Sequence, residues 1–266
     1  MSNVHNQGFK ITGNTTFIRN TGGGITVFDS SGSIDGIVSF IHNSKAQIGQ
    51  LTLLASTVTV NGTIRFDNNS ALNGGALYTI ASRIHIFGNC TVQNNYVIDT
   101  GGGLAGAMSL LVSEVSFSGY FHLVNNRARN MGGAIHLVSS NLSFHGSFTF
   151  WNNTAKQGGA LSLEYNSKLI FKQDTDLSFQ DNKADVGACI YVRDFLTSID
   201  CTEDSTTIEV ARSKLRSDCM FNTNIPRNVK INATGNVATT GGNILYGGIL
   251  QPVSYTHLTL PTIYSV

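Results

Sequence analysis

Apolar and polar residues alternate along most of the chain with a period of two. The alternation is clear in Leu142-Ser143-Phe144 and in the run from Phe148 to Phe150. Such a period is typical of β-strands with one buried face, whereas an amphipathic helix repeats about every 3.6 residues. Three short alternating runs lie between one double glycine and the next. The pattern therefore predicts an all-β protein with three short strands in each repeat.

A longer motif is superimposed on this alternation: Phe, two residues, Asn, four residues and then Gly-Gly-Ala and an aliphatic residue. It is complete at residues 66–77 and 150–161, and looser at residues 179–190. Its first position recurs at nearly regular intervals, at Phe17, Phe40, Phe66, Val92, Leu123, Phe150 and Phe179. A further copy begins at Ala233, two repeat periods after Phe179. From that gap we expect one intervening coil that lacks the motif.

Three strands in a repeat of roughly 27 residues predict a parallel β-helix of about nine coils, stacked at about 4.8 Å. Equivalent residues then form ladders along the stack. Asparagine suits a corner because it tolerates left-handed backbone, and glycine permits positive φ or close backbone approach. The predicted ladder residues are Phe17, Phe40, Phe66, Phe150 and Phe179, with Asn69, Asn95, Asn126, Asn153 and Asn182. The predicted turn residues are Gly74, Gly75, Gly132, Gly133, Gly158 and Gly159.

These Phe-x-x-Asn and Gly-Gly-Ala-aliphatic motifs resemble the repeats of the polymorphic outer-membrane proteins of chlamydiae. The resemblance extends from about Phe9 to Leu250. It implies a right-handed parallel β-helix displayed on a cell surface, with an adhesin-like role. The general rule for parallel crossover connections gives the same hand.

The continuous repeat predicts one elongated domain, residues 1–251, whereas residues 252–266 carry no repeat. The stretch from Val253 to Thr262 corresponds to a translation of the transposon-end adapter used in sequencing libraries. We therefore expect residues 252–266 to be a sequencing artefact, and the chain to be part of a longer protein.

Composition narrows the range of partners. Only 12% of the residues are charged and the net charge is +1, which argues against binding to nucleic acid. No run of about eighteen apolar residues predicts a membrane span. We expect an extracellular or cell-surface location, no cofactor, and a monomeric state for the chain by itself.

Two features bear on an extracellular setting. Cys90 and Cys189 are predicted to be small buried thiols, whereas Cys201 and Cys219 bracket an irregular stretch and are either disulfide-bonded or free. Candidate glycosylation sequons begin at Asn14, Asn61, Asn68, Asn141 and Asn232. Two more, at Asn89 and Asn152, fall beside predicted packed corners, where we do not expect a glycan.

Catalytic chemistry finds little support in the sequence. Cleavage of a glycan needs paired carboxylates, or carboxylates that hold calcium, on neighbouring coils. The predicted outward residues are instead Ser39, Arg65, Thr91, His122, Thr149 and Ser178 on the third strand, and His85, Ser116 and Ser143 on the second. A group of aspartates at 174, 176, 181 and 185 is interpreted as a solvated edge, and we expect no metal site at His122, His136 and His145. Trp151 is predicted to point outward at a corner.

The sequence therefore favours a non-catalytic surface protein with a structural and adhesive role, and cell-surface glycans or proteins as its partners. The alternative is a carbohydrate-active β-helix enzyme, a polysaccharide lyase or a glycosidase, whose catalytic coils lie outside this chain.

Overall fold

The chain is a parallel β-solenoid in the computed structural model. The structure describes residues 2–5, 8–98, 103–172, 174–193, 198–201, 230–239 and 244–246. All regular elements within these ranges are β-strands, and every strand pair among them is parallel. The predicted all-β solenoid fold is confirmed.

The strands of the first four coils are β1 (Ser2–His5), β2 (Gly8–Ile11), β3 (Asn14–Ile18), β4 (Ile25–Phe28), β5 (Ser31–Ile34), β6 (Ile37–Ile41), β7 (Leu51–Leu54), β8 (Thr57–Val60), β9 (Thr63–Asp67), β10 (Ser70–Ala71), β11 (Leu77–Ile80), β12 (Arg83–Ile86), β13 (Cys90–Gln93) and β14 (Tyr96–Val97). The later strands are β15 (Met108–Leu111), β16 (Glu114–Val124), β17 (Ile135–Val138), β18 (Asn141–Trp151), β19 (Leu161–Glu164), β20 (Lys168–Phe171), β21 (Asp176–Gln180), β22 (Lys183–Ala184), β23 (Ile190–Val192), β24 (Ser198–Cys201), β25 (Lys230–Thr234), β26 (Val237–Ala238) and β27 (Ile244–Tyr246).

Two large sheets run along the solenoid. The first sheet has the order β1-β4-β7-β11-β15-β17-β19-β23-β27, one strand from each coil. The second sheet holds the other two main strands of each coil, and the 11-residue strands β16 and β18 join its two halves. Apolar side chains from both sheets form one continuous core between them.

The turns follow the predicted repeat. Residues in register along the first sheet are Ser2, Ile25, Leu51, Leu77, Met108, Ile135, Leu161 and Ile190. Of the seven turns between them, the shortest runs from Ser2 to Ile25 and the longest from Leu77 to Met108. The variation in turn length is unevenly distributed within the turns. Leu51 and Asn69, Leu77 and Asn95, and Met108 and Asn126 are equally far apart in the chain, so these turns differ in length only after the asparagine.

The stretch after Phe179 differs from the prediction. We expected a coil without the motif between Phe179 and Ala233, but these two residues are paired directly, as are Ile190 and Ile244. The chain from Phe179 to Ala233 therefore makes a single turn of the stack. Because β24 still pairs with β20, and β25 with β21, the additional length falls at residues 202–229, which lie outside the described residues.

Phenylalanine rings stack along one corner of the core. The stacks are Phe17–Phe40–Phe66, with ring centroids 5.0 and 4.9 Å apart, and Phe150–Phe179, at 4.9 Å. Val92 and Leu123 occupy this position in the two intervening coils. A second group of buried rings lies beside that interruption and comprises Phe117, Phe121, Phe144 and Phe148. Aromatic packing therefore continues through the middle coils, with different residues.

Asparagines, buried everywhere except at the two ends of their ladder, bond each coil to the next. Asn153 Oδ1 accepts hydrogen bonds from the backbone N–H and from Nδ2 of Asn126, at 3.0 and 3.1 Å. Asn153 Nδ2 donates to Asn182 Oδ1 at 3.0 Å and to the Leu123 carbonyl at 2.8 Å. The structure brings all five asparagines named from the sequence into this ladder, which comprises Asn20, Asn43, Asn69, Asn95, Asn126, Asn153, Asn182 and Asn236.

A serine ladder at another corner was not predicted. The Ser82 N–H donates to Ser113 Oγ at 3.2 Å, and the Ser113 N–H donates to Ser140 Oγ at 3.0 Å. Each of these three hydroxyls donates to the carbonyl two residues before it. The full ladder is Ser30, Ser56, Ser82, Ser113, Ser140 and Ser167. The signal was present in the sequence, because these serines follow nearly the same intervals as the phenylalanines.

The two glycines of each Gly-Gly-Ala step meet different requirements. Gly158 has a φ of +66°, in the left-handed region that disfavours side chains. Gly159 has no such φ, but a Cβ there would lie within 2.7 Å of the Lys183 carbonyl oxygen on the next coil. In the same way, Gly74 and Gly132 have a positive φ, whereas Gly75 and Gly133 lie too close to the next coil to carry a Cβ.

Truncation of one stacked ring tests the packing of the core. Phe150 is fully buried, so Phe150→Ala should lower the free energy of unfolding by about 3–5 kcal/mol by opening a cavity. Trp151→Ala is the matched control, because the neighbouring Trp151 is 46% exposed. Urea denaturation of both variants would measure the difference. Equal losses would contradict a core position for Phe150.

Removal of one ladder amide tests the bonding between coils. Asn153→Ala leaves the buried Asn126 N–H without its acceptor and should cost about 1–3 kcal/mol of unfolding free energy. The control is Asn152→Gly, which removes an exposed amide at a position whose φ is +51°. Glycine adopts that φ without strain. A control that is as unstable as Asn153→Ala would show that the ladder is not the source of the loss.

Candidate functional site

The outer faces of the solenoid present side chains in straight columns. The third-strand column predicted from the sequence consists of register partners, namely Ser39, Arg65, Thr91, His122, Thr149 and Ser178. All of these side chains are exposed or half-buried. In the strand registers that the structure describes, no carboxylate is paired with another carboxylate. The paired-acid arrangement of a glycosidase is therefore not found among these pairs.

The polar residues singled out at the corners are mostly exposed. The four aspartates at 174, 176, 181 and 185 are exposed, as a solvated edge requires. Trp151 is 46% exposed, and its Nε1 donates a hydrogen bond to Asp181 Oδ2 at 3.1 Å. His122 and His145 are exposed, whereas His136 is fully buried. Within the described ranges, no three His, Cys, Asp or Glu side chains are close enough together to hold a metal ion.

A buried polar cluster surrounds His136 on the outer side of the first sheet. Glu164 Oε1 accepts a hydrogen bond from Arg193 Nη1 at 2.8 Å, and Glu164 Oε2 lies 3.5 Å from His136 Nε2. The Glu164 side chain is only 5% exposed. Ser162, the register partner of His136, is fully buried as well. The cluster contains serine, histidine and glutamate, but His136 and Ser162 are closed to solvent and do not form an open catalytic site.

The cluster is buried because the glycine turn covers it. His136 and Ser162 are the second residues of β17 and β19, where strict alternation directs side chains away from the core. A Cβ at Gly132 would lie 2.9 Å from the His136 Cβ, and a Cβ at Gly158 would lie 2.9 Å from the Ser162 Cβ. The backbone of each turn therefore passes directly over the strand that follows it.

Glu164 remains ionised within this cluster. Burial by itself raises the pKa of Glu164, but the interactions with His136 and Arg193 outweigh it. The pKa of this carboxyl therefore lies below its ordinary value of 4.5. The result is a fixed negative charge that holds Arg193 against the solenoid.

Neither of the two cysteines whose side chains the structure describes forms a reactive site. Cys90 and Cys189 are both buried, and burial strongly raises the pKa of the Cys90 thiol. A thiol in that state is a poor nucleophile. The proposed pair Cys201 and Cys219 stays a prediction, because Cys219 lies outside the described residues.

The candidate sequon asparagines are accessible. Asn14, Asn61, Asn68, Asn141 and Asn232 are all exposed. Asn89 and Asn152 are both exposed as well, so neither is packed in the way expected for it. Glycosylation of these residues stays a prediction.

Comparison with known proteins supports the interpretation of the repeat. Residues 63–80, which run from the start of β9 to the end of β11, match the Chlamydia polymorphic membrane protein repeat. Together with the parallel solenoid, this match identifies a β-helix repeat of the polymorphic membrane protein type, so the resemblance noted in the sequence is confirmed. The same repeat indicates a surface-exposed protein. No curated protein and no solved structure matches the chain. In the described ranges there is no helix long and apolar enough to cross a membrane.

Neutralisation of Glu164 tests the buried cluster. Because the folded-state pKa is below 4.5, ionised Glu164 stabilises the fold above about pH 4.5, and this contribution is lost as the pH falls through the folded-state value. Glu164→Gln should therefore cost about 1–3 kcal/mol of unfolding free energy at neutral pH and progressively less below pH 4.5.

Glu114→Gln is the control for that experiment, because the Glu114 side chain pairs with Arg83 at 2.8 Å but is 51% exposed. An exposed pair contributes little stability. A pH-independent loss in the Glu164→Gln variant would rule out a role for its charge.

Proposed function

We propose that this chain is a non-catalytic segment of a cell-surface or extracellular protein, with a structural and adhesive role. The observation that carries the proposal is the repeat match over residues 63–80, within a solenoid that continues on both sides of it. The family indicates surface exposure, and adhesion is the function that we assign to the exposed lateral faces.

The physical form of the molecule supports this proposal. Ladders of buried asparagine and serine fix each coil against its neighbours, so outward side chains keep constant positions along the stack. A surface held rigid in this way loses little conformational entropy on binding. The solenoid can therefore hold its contact residues at fixed distances from one another without a conformational change.

Cell binding tests the adhesive role. Fluorescently labelled full chain, incubated with a panel of cultured animal and bacterial cells, should show saturable retention on at least one cell type. Excess unlabelled chain should displace it. Retention that is absent from the whole panel, or that is neither saturable nor displaced, would exclude adhesion by this segment.

The carbohydrate-active alternative is tested on the same preparation. Incubation with acidic and neutral polysaccharides should release neither unsaturated nor reducing ends above a boiled sample. Release that depends on the folded chain would overturn the non-catalytic assignment.

A further inference from the structure

The second sheet carries an uncharged platform in the middle of the solenoid. We define the neutral platform as the outward side chains of residues 85–91, 116–122 and 143–149. These belong to three consecutive coils that are joined in register by β12, β13, β16 and β18. β16 and β18 run through both halves of the sheet, but each bends at its central glycine, since the Phe117 and Phe121 rings on the inner side lie only 4.4 Å apart and Gly119 has a φ of +129°. The outward residues therefore lie on two facets that meet along this glycine column.

Two aromatic rings are exposed on this platform. Phe87 is 56% exposed and Tyr120 is 63% exposed, on adjacent coils. Tyr120 immediately precedes Phe121, the register partner of Cys90, which places it beside the short link that holds Phe87. The His85 ring stacks on Phe87 with centroids 6.2 Å apart and an interplanar angle of 17°. Both rings are therefore open to solvent, and the Phe87 ring is held in a stacked arrangement with His85.

The rest of the platform is polar but carries no permanent charge. His122 and His145 are exposed, and the remaining outward positions hold serine, threonine or asparagine. Charged residues begin at its borders, with Arg65 on the preceding coil and Lys172 and Asp176 on the following one. The platform itself therefore carries no permanent charge, and some of its register partners on the adjacent coils, such as Thr59 and Ser178, are uncharged as well.

This combination fits a sugar chain better than other ligands. A pyranose ring has an apolar C–H face that packs on an aromatic ring, and hydroxyl groups that bond to hydroxyls and imidazoles. Nucleic acids and sulfated glycans require lysine and arginine, which the platform lacks. A protein partner would need a larger apolar core than two separate rings. By strand spacing the three coils of the platform extend about 10 Å along the solenoid axis, which is enough for a short oligosaccharide.

We propose that the neutral platform binds uncharged oligosaccharides, with Phe87 and Tyr120 as the stacking residues. This inference rests on the proposed adhesive function, because it names the ligand class that the lateral face recognises. The rings are held on or between β-strands in fixed register, so the site is preorganised for its ligand.

Titration calorimetry of the full chain with cello-, malto-, manno- and chitohexaose tests the proposal, with a heparin hexasaccharide as the anionic member. At least one neutral hexasaccharide should bind saturably, and heparin should not. Phe87→Ala and Tyr120→Ala should each weaken that binding by about tenfold or more, because stacking contributes much of the affinity. Tyr96→Ala is the matched control, since Tyr96 is 44% exposed on a different sheet, and it should change affinity by less than about twofold.

The outcomes separate this inference from the proposed adhesive function. A chain that is retained on cells but binds none of the neutral hexasaccharides would overturn the glycan platform and leave adhesion in place. Equal affinities of the Phe87→Ala, Tyr120→Ala and Tyr96→Ala variants for the neutral hexasaccharide would also overturn the glycan platform, as would a preference for heparin. A chain that binds a hexasaccharide through Phe87 and Tyr120 but is not retained on any cell would support the platform and exclude adhesion. A thermal unfolding midpoint equal to that of the wild type would verify that the Phe87→Ala and Tyr120→Ala variants are folded.

Discussion

The hydrogen bonds between successive coils are the constraint on which the rest of this structure depends. Each parallel strand must meet its equivalent on the next coil, and the buried asparagines extend that bonding into a corner where the backbone turns. Asn126, Asn153 and Asn182 each accept from the preceding coil's asparagine. A corner amide without these partners would leave buried donors unpaired, at a cost of about 1–3 kcal/mol each. The ladder therefore requires every coil to return to the same position.

This requirement explains where the repeat tolerates change. Three consecutive coils keep the same spacing between the start of the first strand and the ladder asparagine, as from Leu77 to Asn95. Additional residues occur after the asparagine, or at 202–229, between β24 and β25. These two strands nevertheless pair with β20 and β21 of the preceding coil. Insertions at such points do not disturb the register. Outward side chains are not under the same restriction, which leaves the lateral faces free to carry a ligand surface such as the neutral platform.

Much of the fold and part of the candidate site could be predicted from residue spacing. The intervals between phenylalanines anticipated the turns, and alternation anticipated the outward column that contains Thr91 and His122. The serine ladder was overlooked although its spacing was visible. The coil expected between Phe179 and Ala233 was wrong, because spacing alone cannot distinguish a coil without its motif from an insertion in a single coil. The direct pairing of those two residues decides that question.

The sequence by itself determined the class of structure, since a two-residue alternation within a longer repeat allows few arrangements other than a stack of parallel coils. It also determined which residues form the phenylalanine and asparagine ladders, because residues that are one repeat apart in the sequence lie next to each other when the coils stack. Only the tertiary structure decided which outward residues are exposed. His136 and Tyr120 both point away from the core, yet His136 is fully buried under the Gly132 turn and Tyr120 is 63% exposed on an open sheet. The physical reason is that a strand's alternation defines two faces, whereas the neighbouring backbone decides whether the second face meets solvent.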